Sequence, residues 1–394
     1  LAFLAFLAFL AFLAFLAFRT FLQRKHNTLL TPLASMKIII DDKIPFMRGQ
    51  AERLGTAVYL PGAAITADDV RDADALIVRT RTRCDEALLK GSRVKFIATA
   101  TIGFDHIDTA WLAENGIGWT NCPGCNAGSV AQYVESALLL LARAGRIRLD
   151  AATTLAVVGV GHVGTQVALM AKRLGLNLLL CDPLRLQGCG GVEEGSAAAG
   201  GIADAACCAT LDDVCRQADI ITFHTPLTRQ GLHATYHLAS ADFFSRLQRR
   251  PVVINSSRGE VVGTSALLGA LRGGIVREAV VDTWENEPDI SRELLDRAFL
   301  ATPHIAGYSA DGKANGTRMS LEAVARFFGV DCSFDVEAPA VLPTFRYYPE
   351  APDDAAANPS LALYDPRRDS DALKADPAAF ERLRGNYPLR REHF

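Results

Sequence analysis

The chain has 394 residues, of which 49% are hydrophobic and 22% are charged, as in ordinary globular proteins. This length predicts two or three domains. The net charge of −3 gives no positive field for nucleic acid, and the composition excludes intrinsic disorder and a collagen-like fibre. The nine cysteines follow no regular spacing, which indicates reduced thiols in a cytoplasmic protein. Cys122 and Cys125 have redox-motif spacing, but no second Cys or His pair has zinc spacing, so we expect no metal.

Residues 1–18 repeat Leu-Ala-Phe six times and, at about 27 Å as a helix, reach the lower limit of a membrane span. Basic residues follow this stretch, which is the wrong order for a secretory signal peptide. A perfect tripeptide repeat resembles a translated nucleotide repeat, and Met36 opens a natural first strand. We therefore expect residues 1–35 to be a low-complexity, non-native extension, with a membrane or targeting role as the alternative.

Short β-branched runs alternate with helical stretches, a pattern that predicts an α/β fold with doubly wound parallel sheets. The predicted strands are 38–40, 76–78, 96–98, 155–158, 178–180, 220–223, 252–254 and 279–281. Long helices at 130–144 and 312–328 flank the central block, so we expect the chain to leave one domain, complete a second and return. From about residue 331 a third module is predicted, because eight of the 17 prolines lie in the last 64 residues.

A Gly-x-Gly-x-x-Gly motif follows the strand that begins at Leu155, and a helix follows the motif. Gly159 permits a tight turn, Gly161 lets the backbone approach a pyrophosphate at the helix N-terminus, and Gly164 allows close helix–strand packing. Asp182 ends the next strand, 21 residues after Gly161. A carboxylate there binds the adenosine ribose and repels a 2′-phosphate, so the motif predicts NAD rather than NADP.

Polar residues follow the later strands, at the sheet edge where ligands bind in open α/β folds. Oxidation of a hydroxy acid needs a base for the hydroxyl proton, and His304 is the natural candidate because histidine ordinarily has a pKa near the operating pH. Glu287 can orient the imidazole and stabilise its protonated form. Arg258 can hold a carboxylate with its planar fork, and Asp282 can meet the nicotinamide end of NAD. Each residue alone can be an ordinary loop residue, but together they predict a dehydrogenase.

The segments Ser257-Arg-Gly, Asp282-Thr-Trp-Glu-Asn-Glu-Pro and Thr302-Pro-His-Ile-Ala-Gly-Tyr resemble the D-2-hydroxyacid dehydrogenase family. The resemblance covers about residues 36–394. It implies two doubly wound parallel-sheet domains, a flavodoxin-like substrate-binding lid and a Rossmann NAD domain, followed by a C-terminal α+β dimerisation domain that makes a homodimer. The limits that we expect are 36–130 plus 304–330 for the lid, 131–303 for the NAD domain and 331–394 for the dimerisation domain, which we expect to be shortened.

The same resemblance assigns individual residues. It implies Arg258 and Glu287 as active-site residues and His304 as proton donor and acceptor. Substrate contacts are implied at Thr80, Thr101 and Tyr308. Cofactor contacts are implied on several loops, at Gly159, Gly161, His162, Val163, Gly164, Asp182, Thr225, Ser256, Ser257, Arg258, Asp282 and Gly307. One departure is Gly263, which stands where the family usually has an Asp that starts a helix.

The residues favour a small phosphorylated 2-hydroxy acid as substrate. Arg79, Arg81 and Arg83 alternate after a strand, where guanidiniums can grip a phosphate, although a solvated edge strand has the same pattern. Lys313 can add charge, and Ile102-Gly103 can offer backbone N–H groups to a carboxylate. Two alternatives stay open. One is another dehydrogenase of the family, such as 3-phosphoglycerate dehydrogenase or a hydroxypyruvate reductase, and the other is an NAD-binding co-repressor without catalysis.

Overall fold

The computed structural model describes residues 36–186, 209–340, 359–388 and 390–392, so the predictions for residues 1–35 lie outside it. The chain forms two compact units. The first contains the residues up to Asn121 together with Ser320–Asp335, and the second contains Cys122–Met319 and the residues from Val336 onward. The domain limits given above stay predictions. In the described part of the chain, no helix is both long enough and apolar enough to cross a bilayer.

The described residues contain eleven strands and fourteen α-helices. The strands are β1 Lys37–Asp41, β2 Thr56–Leu60, β3 Ala75–Val78, β4 Phe96–Thr99, β5 Gly118–Thr120, β6 Thr154–Val158, β7 Asn177–Cys181, β8 Ile220–Phe223, β9 Val252–Asn255, β10 Glu278–Val281 and β11 Leu300–Ala301. The helices are α1 Ala67–Val70, α2 Glu86–Leu89, α3 Thr109–Glu114, α4 Ala127–Arg143, α5 His162–Arg173, α6 Pro183–Leu186, α7 Leu211–Gln217, α8 Ala241–Ser245, α9 Thr264–Arg272, α10 Arg292–Arg297, α11 Ala310–Phe328, α12 Pro359–Leu363, α13 Arg367–Ala375 and α14 Phe380–Gly385.

The first unit is built on a five-stranded parallel sheet in the order β2-β1-β3-β4-β5, which is the flavodoxin-like order. β3 and β4 are fully buried, which explains why each is a continuous apolar run in the sequence. The strand order reverses between β1 and β3. There the buried carboxylate of Asp41 binds Arg79 in bidentate fashion, with Nε–Oδ2 at 3.0 Å and Nη2–Oδ1 at 3.1 Å.

The second unit is built on a six-stranded parallel sheet in the order β11-β10-β9-β8-β6-β7. The chain runs from β6 outward to β7 and then crosses to β8 on the other side, so the order reverses between β6 and β8. The glycine motif follows β6 at this reversal, which is where α/β sheets bind ligands. The apolar helix α4 is buried along most of its length and packs against α5. The predicted pair of doubly wound parallel sheets is thereby confirmed.

All eight predicted strands are present, with ends that differ by no more than one residue. The sequence analysis missed β2, β5 and β11. β2 is partly exposed along its length, whereas β5 and β11 have three and two residues. Such strands lack the buried apolar run that identifies a strand in the sequence. The two long helices begin two or three residues earlier than predicted.

The helix start at Gly263 has a cap from elsewhere in the chain. Gly263 is the N-cap of α9 and supplies no side-chain hydrogen bond. Glu285, in the loop after β10, accepts the Thr264 N–H at 2.6 Å on one oxygen. Its other oxygen is 2.6 Å from Nε2 of His237. A distant carboxylate therefore replaces the Asp that the family usually has at this position.

The paired cysteines near the start of α4 are structural thiols in this environment. Cys122 and Cys125 are both buried, and the Cys122 Sγ donates to the Gly316 carbonyl at 3.3 Å. Burial raises the pKa of Cys125 to about 12. A thiol that stays protonated is a poor nucleophile and a poor metal ligand.

The described residues from 359 onward are mainly helical and belong to the second unit. Arg390 is fully buried, and its Nη2 donates to the Ser129 hydroxyl at 2.5 Å and to the Ala306 carbonyl at 2.8 Å. Its guanidinium lies 3.9 Å from the centre of the Tyr364 ring. An isolated bridge joins Ser309 to Arg390, and the described residues among 359–392 contain no longer strand. The α+β character and the dimerising role of this module stay predictions.

One carboxyl group in this segment predicts a pH-dependent stability. Asp369 on α13 is partly buried and accepts hydrogen bonds from Tyr387 at 2.9 Å and Tyr364 at 3.3 Å. Burial raises its pKa from 3.8 to about 6, so the folded state keeps a proton that the unfolded chain releases. Stability is then fully present below about pH 4 and falls as the pH rises toward 6.

Asp369→Asn should remove this loss because the amide cannot ionise. Relative to the parent chain, the variant should gain on the order of 2 kcal/mol between about pH 4 and pH 7. Thermal unfolding of both proteins across this range measures the gain. Asp371→Asn, an exposed change on the same helix, is the control. Parallel pH profiles for parent and Asp369→Asn would contradict the assignment.

Candidate active site

The glycine loop has the shape that a dinucleotide requires. Gly159 has φ of 89°, and a Cβ there would overlap the backbone of His224. A Cβ on Gly164 would overlap the Gly159 carbonyl, so this glycine permits the close approach of α5. Gly161 is the N-cap of α5 and faces open space. Each glycine therefore permits the backbone conformation or close approach that the sequence predicted. The first N–H groups of α5 remain available to bind an anion.

Asp182 lies directly after β7, beside this loop. Its Oδ2 accepts the Val160 N–H at 2.9 Å, and its Oδ1 accepts the Leu184 N–H at 3.2 Å. These bonds place the carboxylate next to the glycine loop, as a ribose-binding residue requires. His162 is exposed at the start of α5, and Val163 is partly buried behind it.

Two other predicted cofactor residues have buried hydroxyls without a hydrogen-bond partner. The hydroxyls of Thr225 and Ser256 are buried, and neither has a hydrogen-bond partner among the described residues. Buried polar groups are nearly always paired, so unpaired hydroxyls after β8 and β9 fit a polar ligand at this edge. Ser257 differs, since its hydroxyl donates to Oδ1 of Asn255 at 3.0 Å and holds the loop. Gly307 accepts from the Asn126 amide at 3.3 Å.

His304 and Glu287 form a hydrogen-bonded pair. Nδ1 of His304 lies 2.8 Å from Oε2 and 3.1 Å from Oε1 of Glu287. Burial raises the pKa of Glu287, but the hydrogen bond and charge of His304 outweigh it, so the pKa is lowered overall. The ionised carboxylate only accepts, so Nδ1 carries the hydrogen and Nε2 keeps its lone pair. This is the tautomer that a general base needs.

Both residues of this pair line a cavity of about 270 Å³. Its lining residues are Arg258, Gly259, Glu260, Trp284, Asn286, Glu287 and His304. Arg258 uses Nη1 on the Ser257 carbonyl at 2.8 Å and contributes its side chain to the same cavity. A base, its carboxylate partner and a guanidinium therefore share one cavity. That set can bind a carboxylate and move a proton.

Asp282 organises the loop that carries His304. Its Oδ1 accepts from the Thr302 hydroxyl at 2.6 Å and the Ile305 N–H at 2.8 Å, and its Oδ2 accepts the Ala306 N–H at 3.0 Å. Its backbone carbonyl accepts the His304 N–H at 2.8 Å. Both carboxylate oxygens thus bind the loop. The contact of Asp282 with NAD stays a prediction.

A second histidine at this edge has a different environment. His224, directly after β8, is within 2.9 Å of the Thr222 hydroxyl through Nε2, and no carboxylate pairs with it in the described part of the chain. Burial lowers the pKa of His224 to about 3. It therefore stays neutral at working pH, which leaves His304 as the histidine suited to carry a proton.

The predicted substrate residues divide between the two units. Thr80 is exposed after β3, and Thr101 follows β4, where its hydroxyl donates to the Gly103 carbonyl at 2.9 Å. Tyr308 belongs to the second unit, and its hydroxyl accepts from Nε of Arg384 at 3.1 Å. Of the three alternating arginines, Arg79 binds Asp41, and Arg83 binds Asp85 at 2.8 Å.

Sequence reasoning missed the supporting roles of Gly259 and Trp284 at the cavity, and the contact of Arg384 with Tyr308. A Cβ on Gly259 would overlap the Trp284 carbonyl, so only glycine lets these two loops meet. Trp284 donates its backbone N–H to Glu287 Oε1 at 2.9 Å and its indole N–H to the Thr302 carbonyl at 2.9 Å. The glycine after Arg258 was a usable signal because it stands at a strand end. Arg384 gave none, since it lies in a charged segment far along the chain.

The comparisons with known proteins agree with this geometry. The family described as D-isomer specific 2-hydroxyacid dehydrogenase, NAD binding domain, matches residues 142–306. That span contains the glycine loop, Asp182, Arg258, Glu287 and His304. The predicted cofactor, NAD, and an NAD-dependent oxidoreductase activity are thereby confirmed.

Solved dehydrogenases share the fold. D-mandelate dehydrogenase from Rhodotorula graminis superimposes with a TM-score of 0.60 at 20% identity, over 78% of this chain and 100% of that one. NAD-bound 3-phosphoglycerate dehydrogenase from Entamoeba histolytica gives a TM-score of 0.59 at 22% identity, with the same shares covered. At such identity the likeness shows the fold alone.

Sequence relatives are much more similar. A protein of Bacteroides fragilis named erythronate-4-phosphate dehydrogenase is 52% identical over 361 residues, which is 91% of this chain and 97% of the relative. A protein of the same name from Escherichia coli O157:H7 is 40% identical over 363 residues, which is 91% of this chain and 92% of the relative. The chain therefore belongs to the D-2-hydroxyacid dehydrogenase family, among relatives named erythronate-4-phosphate dehydrogenase.

Proposed function

We propose that this chain oxidises the 2-hydroxyl of 4-phospho-D-erythronate to a ketone, giving 3-hydroxy-2-oxo-4-phosphooxybutanoate, in the synthesis of pyridoxine and pyridoxal 5′-phosphate. The names of the relatives support the substrate. The observation that carries the chemistry is the Glu287–His304 pair, which shares a cavity with Arg258 at the carboxyl edge of the NAD domain.

The geometry supports the following roles. Arg258 binds the substrate carboxylate through its fork and polarises the reacting oxygen. Nε2 of His304 accepts the hydroxyl proton, and Glu287 stabilises the imidazolium that results. When bound, NAD supplies the hydride acceptor. Asp182, Thr225 and Ser256 hold the cofactor, with the glycine loop at its pyrophosphate. In the reverse direction His304 returns the proton.

The direct test is turnover with a substrate panel. The parent chain should reduce NAD with 4-phosphoerythronate at a kcat/KM well above that with 3-phosphoglycerate or glycerate, followed at the absorbance of NADH. Preference for 3-phosphoglycerate would make it another member of the family. A chain that binds NAD and turns over none of the panel would instead support a co-repressor.

We further propose that the enzyme works in the cytoplasm as a homodimer through its C-terminal residues. Buried free thiols and the family resemblance support this. Light scattering of the full chain measures the oligomeric state, and a monomer at working concentration would contradict the dimer.

Asp182→Ala should weaken NAD selectivity. The variant loses the acceptor for the ribose hydroxyls and the repulsion of a 2′-phosphate, so kcat/KM with NAD should fall roughly 10- to 100-fold. The kcat/KM with NADP should fall less or rise, so the ratio of the NAD value to the NADP value becomes smaller. Steady-state kinetics with both cofactors measures it. A parent that uses both cofactors equally well would refute the assignment of Asp182.

His304→Ala should lower kcat about 10²- to 10⁴-fold, because the general base is lost. NADH binding, followed by fluorescence titration, should be nearly unchanged. Arg258→Lys is the contrasting variant, and its main effect should be a higher substrate KM, since an ammonium cannot reproduce the bidentate fork. Turnover near the parental level in His304→Ala would show that another group moves the proton.

Glu287→Gln should move the acid limb of the oxidation rate to lower pH. Burial raises the pKa of Glu287, but its contact with His304 lowers it overall, so its carboxylate charge favours the imidazolium, whereas a neutral amide does not. With the amide, His304 remains a neutral base at lower pH. Glu285→Gln is the matched control, since Glu285 pairs with His237 outside the cavity lining. An acid limb that stays in place in Glu287→Gln, or moves equally in the control, would contradict the assigned role.

A further inference from the structure

A cation outside the predicted site lies beside Tyr308. Arg384, on α14, donates from Nε to the Tyr308 hydroxyl at 3.1 Å, and its guanidinium carbon is 5.8 Å from the centre of the ring. Tyr308 follows His304 by four residues in the same loop. The C-terminal residues therefore place a guanidinium at the loop that carries the proposed base.

The charge of Arg384 is not neutralised by an ion pair. In the ranges that the structure describes, no carboxylate lies at ion-pair distance from this half-buried side chain. Arg382, on the same helix, is exposed and pairs with Asp376 at 3.2 Å. Burial lowers the pKa of Arg384, but Tyr308 and the more distant charges of Glu287 and Glu381 raise it overall, so the guanidinium stays charged. A half-buried guanidinium with no carboxylate at ion-pair distance can bind an anionic ligand directly.

A second cation also lies against Tyr308. Nζ of Lys313 lies 5.3 Å from the centre of the Tyr308 ring, so two cations flank this tyrosine. Arg258 supplies a third cation in the cavity next to Glu287. One guanidinium suffices for a substrate with a carboxylate alone. A further guanidinium nearby matches a substrate that carries a second anionic group.

We propose that Arg384 binds the phosphate at the end of the substrate remote from the reacting carbon, while Arg258 binds the carboxylate. The inference rests on the proposed function and names the residue that makes it specific for a phosphorylated 2-hydroxy acid. Tyr308 holds Nε and so fixes the plane of the guanidinium. The two Nη groups then face phosphate oxygens in the bidentate geometry that arginine favours.

Arg384→Gln removes the charge and keeps a polar side chain. KM and the calorimetric dissociation constant for 4-phosphoerythronate should rise about 10- to 100-fold, with little change in kcat. The same constants for unphosphorylated erythronate should be unchanged, because that molecule has no phosphate to lose. Arg384→Lys should recover part of the affinity, since it keeps the charge without the fork.

Arg382→Gln, on the same helix, is the matched control and should leave both substrates unaffected. Thermal unfolding checks the fold of each variant, and the lysine variant carries the test if the glutamine variant is unstable. Equal weakening of both substrates by Arg384→Gln would mean that Arg384 only supports Tyr308, and would overturn the proposal.

Calorimetry separates this proposal from the proposed function because it needs no turnover. A parent that binds 4-phosphoerythronate more tightly than erythronate through Arg384, yet oxidises neither, would overturn the function and keep this assignment. If the parent oxidises 4-phosphoerythronate and Arg384→Gln still prefers the phosphorylated substrate, the proposed function stands and the assignment of Arg384 is overturned.

Discussion

The buried carboxylate of Asp282 is the interaction on which the catalytic loop depends. It binds three donors of residues 302–306, and its own carbonyl binds the His304 N–H. Burial raises the pKa of Asp282 overall, although these hydrogen bonds and the charge of His304 oppose the rise. Each donor left unsatisfied in this interior would cost about 1–3 kcal/mol. Together they hold His304 at a φ of 56°, a conformation that few non-glycine residues adopt.

This loop and the loop after β10 are tied to each other. Trp284 uses its indole for Thr302 and its backbone N–H for Glu287, so it bridges the base and its carboxylate partner. Tyr133 from α4 reaches the Thr302 hydroxyl at 2.8 Å behind them. The Glu287–His304 distance is therefore set by rigid neighbours rather than by the pair alone. His224 lies at the same edge but has no carboxylate partner among the described residues, and burial lowers its pKa to about 3.

The C-terminal residues are part of this arrangement. Buried Arg390 joins the Ser129 hydroxyl to the Ala306 carbonyl, and so connects the start of α4 to the loop that follows His304. The D-mandelate and 3-phosphoglycerate dehydrogenase structures are covered over their whole length by 78% of this chain. The described C-terminal part therefore contacts the catalytic loop twice, through Arg390 at the Ala306 carbonyl and through Arg384 at the Tyr308 hydroxyl.

The sequence by itself determined the parts whose signal is local. Buried parallel strands are apolar runs, the glycine loop has a fixed spacing, and Asp182 follows the second strand of the motif, so the NAD domain could be predicted. Arg258, Glu287 and His304 could be proposed because each stands just after a strand, and parallel strands end at one edge. The short strands β5 and β11 were missed because two or three residues have no periodicity to detect.

Only the tertiary structure decided which groups neutralise, orient or cap one another. Glu285 caps α9 in place of a residue at Gly263, although 22 positions separate the two in the chain. Arg79 forms a bidentate ion pair with Asp41, whereas the sequence alone was equally compatible with Arg79 binding a phosphate. Arg384 reaches Tyr308 across 76 residues. Such contacts depend on where the backbone brings distant side chains together, and no local pattern of residues encodes that position.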